Sequence, residues 1–105
     1  MEEEPAIPFK RENIKVLVVD DDRVELVAVS AALKQLGYQV ITAVNGQDAL
    51  AVLEATSGIN LILSDVRMPI MNGPEFLVEI KGNSDFTDIP ILMMSSNDQY
   101  EIVYE

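Results

Sequence analysis

The sequence predicts an α/β domain, a doubly wound parallel sheet with helices on both faces. Three observations carry this. Four short, β-branched apolar runs alternate along the chain with segments of helical periodicity. The runs are nearly continuous in apolar residues, as strands buried on both faces are. Strands that alternate with helices imply right-handed crossovers and hence parallel pairing.

Residues Met1 to Asn13 hold three Glu, two Pro and a Lys-Arg-Glu cluster, and read as a disordered lead-in. Ile14 to Val19 is the first strand, followed at once by three aspartates. From Arg23 to Leu36 apolar residues recur at Leu26, Val29, Leu33 and Leu36, the spacing of one helix face, and Gly37 stands where a helix carboxyl cap belongs. Tyr38 to Ala43 is the second strand, and Asn45-Gly46 marks a turn. Gln47 to Ala55 is the second helix, with Ala49, Leu50 and Leu53 inward, broken by Ser57-Gly58. Leu61 to Ser64 is the third strand, ending at Asp65. Pro74 to Lys81 is a short third helix, its proline in the first turn where a missing N–H costs nothing. Pro90 to Met94 is the fourth strand, ending in Ser95-Ser96, and a fourth helix begins at Gln99.

Composition bounds the chemistry. At 105 residues the chain is one domain, and 49% hydrophobic with 24% charged residues is a globular balance. There is no cysteine and no histidine, which excludes disulfides, zinc-thiolate sites, thiol nucleophiles and the commonest general base. The net charge of −11 repels phosphate backbones and anionic membranes, so no direct nucleic-acid or membrane partner is expected. Met1 to Pro5 has neither the basic nor the apolar region of a signal peptide. A cytoplasmic protein is the default expectation.

In a doubly wound sheet, ligands bind beyond the carboxyl ends of the strands. That rule selects Asp20-Asp21-Asp22, Asp65 and Ser95-Ser96. Carboxylates crowded at adjacent strand ends repel one another by about 1–4 kcal/mol per pair, and a cation among them relieves this. Their hard oxygens suit Mg²⁺. The aspartates are contiguous and lack the loop glycine, so they are not an EF-hand. Successive side chains diverge, so at most two of the three address one metal closely. Asp22 is better placed as a helix N-cap. Asp65 beside a metal can act as a nucleophile toward a phosphoryl group, with the Ser95 hydroxyl hydrogen-bonding a phosphoryl oxygen.

The strings VLVVDDD, SDVRMPIMNG and PILMMSS, in this order and each ending a strand, resemble the receiver domains of two-component response regulators, the CheY-like family. The resemblance runs from about Ile14 to the end of the chain. It implies a flavodoxin-like fold and phosphorelay signalling rather than enzymatic turnover. By position it makes Asp65 the phosphoacceptor that becomes 4-aspartylphosphate. Asp21 becomes the direct Mg²⁺ ligand, Asp20 its partner acting largely through water, and the Arg67 backbone carbonyl a further ligand. Ser95 becomes the switch hydroxyl. The implied partner is a histidine kinase or an HPt phosphodonor.

The family pattern continues to a fifth strand, a lysine at its end and a fifth helix, and this sequence ends before them. The expectation is therefore a receiver over residues 14–105, truncated to four of five strands, with self-association through an exposed strand-four edge. An alternative is a receiver-like interaction module that binds signalling partners without productive phosphorylation. An Asp-nucleophile phosphohydrolase is disfavoured, because that chemistry asks for an acid two residues after Asp65 and Arg67 stands there.

Overall fold

The structure, a computed structural model, describes residues 10–94. Within them lie β1 (Lys15–Val19), α1 (Arg23–Gln35), β2 (Gln39–Ala43), α2 (Gly46–Ala55), β3 (Ile59–Asp65), α3 (Gly73–Lys81) and β4 (Ile91–Met94). The four strands form one parallel sheet in the order β2-β1-β3-β4.

β1 shows why the runs look continuously apolar. Side chains alternate between the faces of a strand, and both faces here are covered. Leu17 and Val19 enter one core with Ala49 and Leu53 of α2 and Phe76 and Ile80 of α3. Val16 and Val18 enter the other with Leu26 of α1, flanked by Val29 and Leu33.

The helices start where side-chain acceptors meet their orphan N–H groups. Asp22 Oδ1 accepts from Val24 N at 3.0 Å and Glu25 N at 3.3 Å, so Asp22 is the cap of α1. Asn45 caps α2 through Asp48 N at 2.8 Å. Asn72 and Glu75 close a reciprocal capping box on α3. Gly37, at φ +103°, turns the chain out of α1 in a region glycine tolerates best.

Some expectations shift. β3 begins at Ile59, two residues early. The pairing with β1 slips between Lys15 and Val16, and Asn60 Oδ1 takes the Lys15 N–H at 2.8 Å. Pro90 precedes β4. It has no N–H to give and joins the sheet only by accepting from Ile62 N at 3.0 Å. Leu36 is 55% exposed rather than inward, because α1 ends at Gln35 and Leu36 is its carboxyl cap. Arg11–Asn13, expected in the disordered lead-in, form a 3-10 turn, and Glu12 O accepts from Gln39 Nε2 at 2.6 Å. The rest of the lead-in, Ser95-Ser96 and the helix expected from Gln99 lie outside the described residues.

Candidate functional site: an acidic cluster at the strand ends

Register builds the site. Val19 of β1 pairs with Ser64 of β3, so the next residue on each strand, Asp20 and Asp65, stands at the same carboxyl edge. Asp21 follows in the bend before α1. Asp20, Asp21 and Asp65 bring carboxylate oxygens within 4.8 Å of one another, with Asp20 and Asp65 buried and Asp21 exposed. Among the described residues these are the acidic groups close enough to share a cation.

Backbone donors hold two of the three in place. Asp20 Oδ1 accepts from Asp22 N at 2.9 Å, while Asp20 N donates to Ala43 O at 3.1 Å. Asp65 Oδ1 accepts from Val66 N at 2.8 Å. Burial and like charge disfavour ionisation here. The Asp20 pKa is pushed up to about 6, chiefly by burial; the Asp22 N–H lowers it, and the charges of Asp65, Glu25 and Asp21 raise it further. Asp65 is also raised, first by burial and then by Asp21, against the lowering effect of N–H groups of Val66 and Arg67 and of the Asp20 side chain.

These residues fit a hard divalent cation. The donors are carboxylate oxygens. Ligands held at Mg²⁺ distances sit about 3–4 Å from one another, close to the spread found here. Two of these carboxylates are buried and all three crowd like charge together, and a cation among them would offset both costs.

The loop after Asp65 is shaped with little freedom. Gly73 N donates to Val66 O at 2.9 Å, and a Cβ on Gly73 would lie 2.7 Å from Asp65 O and 2.8 Å from Met93 Sδ. Met68 is buried in the core. Between these anchors Met71 N donates to Pro69 O at 2.7 Å around Ile70, whose φ is +71°. This is a tight three-residue turn, strained for a β-branched side chain. Ile70 projects into solvent, 74% exposed. Met71 O accepts from Gly46 N at 3.0 Å, tying this loop to the start of α2.

The structure thus gathers three of the residues singled out in the sequence, Asp20, Asp21 and Asp65. Arg67 lies in the same loop, its side chain exposed. Ser95 lies outside the described residues. The left-handed Ile70 and the Met71–Gly46 bond were missed. No periodicity signals a positive φ at a β-branched residue, and a bond between loops 25 residues apart leaves no local trace.

A doubly wound α/β domain with a cation-competent acidic cluster at its strand carboxyl ends is the class this geometry defines. Comparison with known proteins narrows it. Residues 16–105 match the family model of the response regulator receiver domain. The two-component response regulator-like protein PRR37 of Oryza sativa subsp. indica is 40% identical over 98 residues, 92% of this chain and 13% of that protein. Protein PilG of Pseudomonas aeruginosa is 39% identical over 87 residues, 83% of this chain and 64% of its own length. The chain therefore spans less than two thirds of these relatives. Among solved structures, chemotaxis response regulator CheY4 of Vibrio cholerae superposes with a TM-score of 0.75 at 38% identity, covering 82% of this chain and 71% of that one. Response regulator TrrA of Thermotoga maritima, solved in complex with Mg²⁺-BeF, gives a TM-score of 0.73 at 28% identity, covering 81% and 71%. The chain belongs to the response regulator receiver domain family of two-component systems, and its sheet is the CheY-like flavodoxin fold.

Proposed function

We propose that this receiver domain accepts a phosphoryl group on Asp65, with Mg²⁺ held by Asp21, Asp65 and the Arg67 backbone carbonyl, and by Asp20 largely through water. The observation that carries the reading is the convergence of three carboxylates within 4.8 Å at two neighbouring strand ends, with the candidate nucleophile buried among them. The bound cation would offset charge on the transferring phosphoryl group and on the cluster. The chain's own residues do the rest. A carboxylate oxygen of Asp65 forms the new O–P bond while the donor's bond to phosphorus breaks, its electron pair leaving with the donor. The Val66 N–H fixes the orientation of the attacking carboxylate, and the Gly73–Val66 bond fixes the backbone beneath it. The Ser95 hydroxyl is assigned as the donor to a phosphoryl oxygen.

The assigned partner is a histidine kinase or an HPt phosphodonor, met in the cytoplasm. Val24 and Val27, 80% and 67% exposed on α1 just beyond the acidic cluster, support a protein partner docking there. The domain is a signalling acceptor rather than a turnover enzyme. Intact-mass measurement after treatment with acetyl phosphate and Mg²⁺ tests the assignment. The chain gains one phosphoryl group, and Asp65→Asn or excess chelator removes the gain. A gain that survives in Asp65→Asn would place the acceptor elsewhere.

A further inference from the structure

β3 begins at Ile59 and ends at Asp65, so the two ends of this strand mark the two ends of the domain. At the Ile59 end, away from the acidic cluster, a cavity of about 490 Å³ opens between the carboxyl end of α2, the start of β3 and the loop before β4. Its floor is apolar. Leu53 and Ile59 are buried, and Phe86 and Ile89 are half-buried against the same core. Its rim is acidic, with Glu54 and Asp85 both exposed.

The backbone adds charge of the same sign. In α1 the N–H groups of Leu36, Gly37 and Tyr38 return to last-turn carbonyls, and in α3 those of Gly82 and Asn83 do so. The chain instead leaves α2 extended at Thr56, and among the described residues no N–H beyond the helix comes back to it. α1 and α3 carry Lys34 and Lys81 in their last turns, whereas α2 has no basic residue there. An open helix carboxyl end carries about half a negative charge. Lys15 answers part of it by donating to Ser57 O at 3.0 Å.

The wall opposite α2 is already built. Thr87 N and Phe86 N both donate to Asn83 O, at 2.8 and 3.0 Å, and Ile89 N donates to Phe86 O at 2.9 Å. Lys81 Nζ holds Thr87 O at 3.0 Å. The cavity therefore needs no refolding to receive a ligand, and its size lies in the range of about 300–1,000 Å³ usual for ligand sites.

The geometry points to a second binding site, for an arginine side chain presented by a partner protein. The alkyl stem of arginine covers apolar surface while its head stays at the rim. Its planar guanidinium carries five donors, enough to address two carboxylates and open helix carbonyls together, and is more weakly hydrated than an ammonium. A net charge of −11 draws basic partner surfaces in preference to neutral ones. Occupancy leaves the Asp65 edge free, so this assignment stands apart from the phosphoacceptor reading.

The test is an amide NMR titration of the 105-residue chain with three probes: acetyl-Leu-Arg-Leu-amide, the same peptide with uncharged citrulline for arginine, and butylguanidinium chloride. The arginine peptide is expected to shift the amides of residues 53–59 and 85–89 saturably. The citrulline peptide should bind several-fold more weakly. Glu54→Gln and Asp85→Asn should each cost about two- to fivefold in affinity, as exposed ion pairs do. Equal binding of the citrulline peptide would overturn the site, as would shifts confined to residues 20–22 and 65. Butylguanidinium binding as tightly as the peptide would overturn the protein source in favour of a free small cation.

Discussion

Among the described residues, the two faces of the sheet are packed to different depths. Twelve buried apolar side chains among them make up the core shared by the sheet with α2 and α3, including Phe76, Ile80, Leu17 and Ile62 at 0% exposure. On the α1 side the buried residues among those described are Val16, Val18 and Leu26, with Leu33, Leu61 and Leu63 half-covered. The acidic cluster straddles this difference. Asp65 and its loop are fastened to the deep face through Gly73 and Met68, whereas Asp20 and Asp21 lead directly into α1 on the shallow face. Within the described residues the candidate acceptor thus stands on the more heavily packed face and the carboxylates beside it on the lighter one.

Core truncation on each face tests this most strongly. Phe76→Ala is expected to cost about 3–5 kcal/mol, as burying a large void in a close-packed core does. Leu33→Ala on the shallow face should cost roughly 1 kcal/mol, in keeping with partial burial. Chemical denaturation of the two variants measures the gap, and equal losses would erase the distinction between the faces.

Gly73→Ala probes where the deep face meets the site. The added Cβ would press on Asp65 O, a backbone atom that cannot rotate away, and on Met93 Sδ. Overpacking of this kind costs about 1–3 kcal/mol. Here it should also slow the phosphorylation proposed for Asp65, read as mass gain against time; an unchanged rate would detach the loop from the proposed acceptor.

A smaller effect comes from pH. Asp20 ionises near 6 in the folded chain, above the ordinary 3.8, so folding favours its protonated form. Its contribution to stability is fully present below about pH 4 and is lost as pH rises through about 6. The raised Asp65 acts in the same direction. Relative to the natural chain, Asp20→Asn should therefore gain stability as pH climbs from 4 to 8. Mg²⁺ should stabilise the natural chain more at pH 8 than at pH 4.5, since binding to the native state adds to stability and needs ionised ligands. Melting curves at matched ionic strength would show both trends; a gap between variant and natural chain that does not change with pH would discard the sign.

The smallest change is expected at Ile70. A left-handed conformation costs a side-chain-bearing residue about 1–2 kcal/mol, and glycine loses roughly 0.5–1 kcal/mol more backbone entropy on folding. Ile70→Gly should then be neutral to about 1 kcal/mol stabilising. A loss of stability would mean that the exposed side chain contributes packing not evident from its 74% exposure.

Much of this was legible in the sequence. Strand runs, helix spacing and the DDD and SDV strand ends led to the parallel sheet and to Asp20, Asp21 and Asp65, because period and register are local properties read one element at a time. Asp22 as a helix cap followed from its place before the first helical residue. The pattern Asn72-Gly-Pro-Glu75 carries a capping box, a signal local enough to be legible in the sequence. What escaped depended on tertiary packing. Leu36 continued the apolar spacing of α1, yet the helix had already ended. Asn60 entered the ladder because the β1–β3 register slips, and no single strand shows its partner's register.

The bonds that hold Asp20 also tie the acidic cluster to the exposed surface beside it. Asp20 grips the Asp22 N–H, and Asp22 in turn grips the N–H groups of Val24 and Glu25, so the carboxylate row and the first turn of α1 form one short train of couplings. A change in what Asp20 bonds is expected to reach the helix start through these contacts. Protection of the Val24 and Glu25 amides against solvent exchange is then expected to rise or fall with what sits among the aspartates.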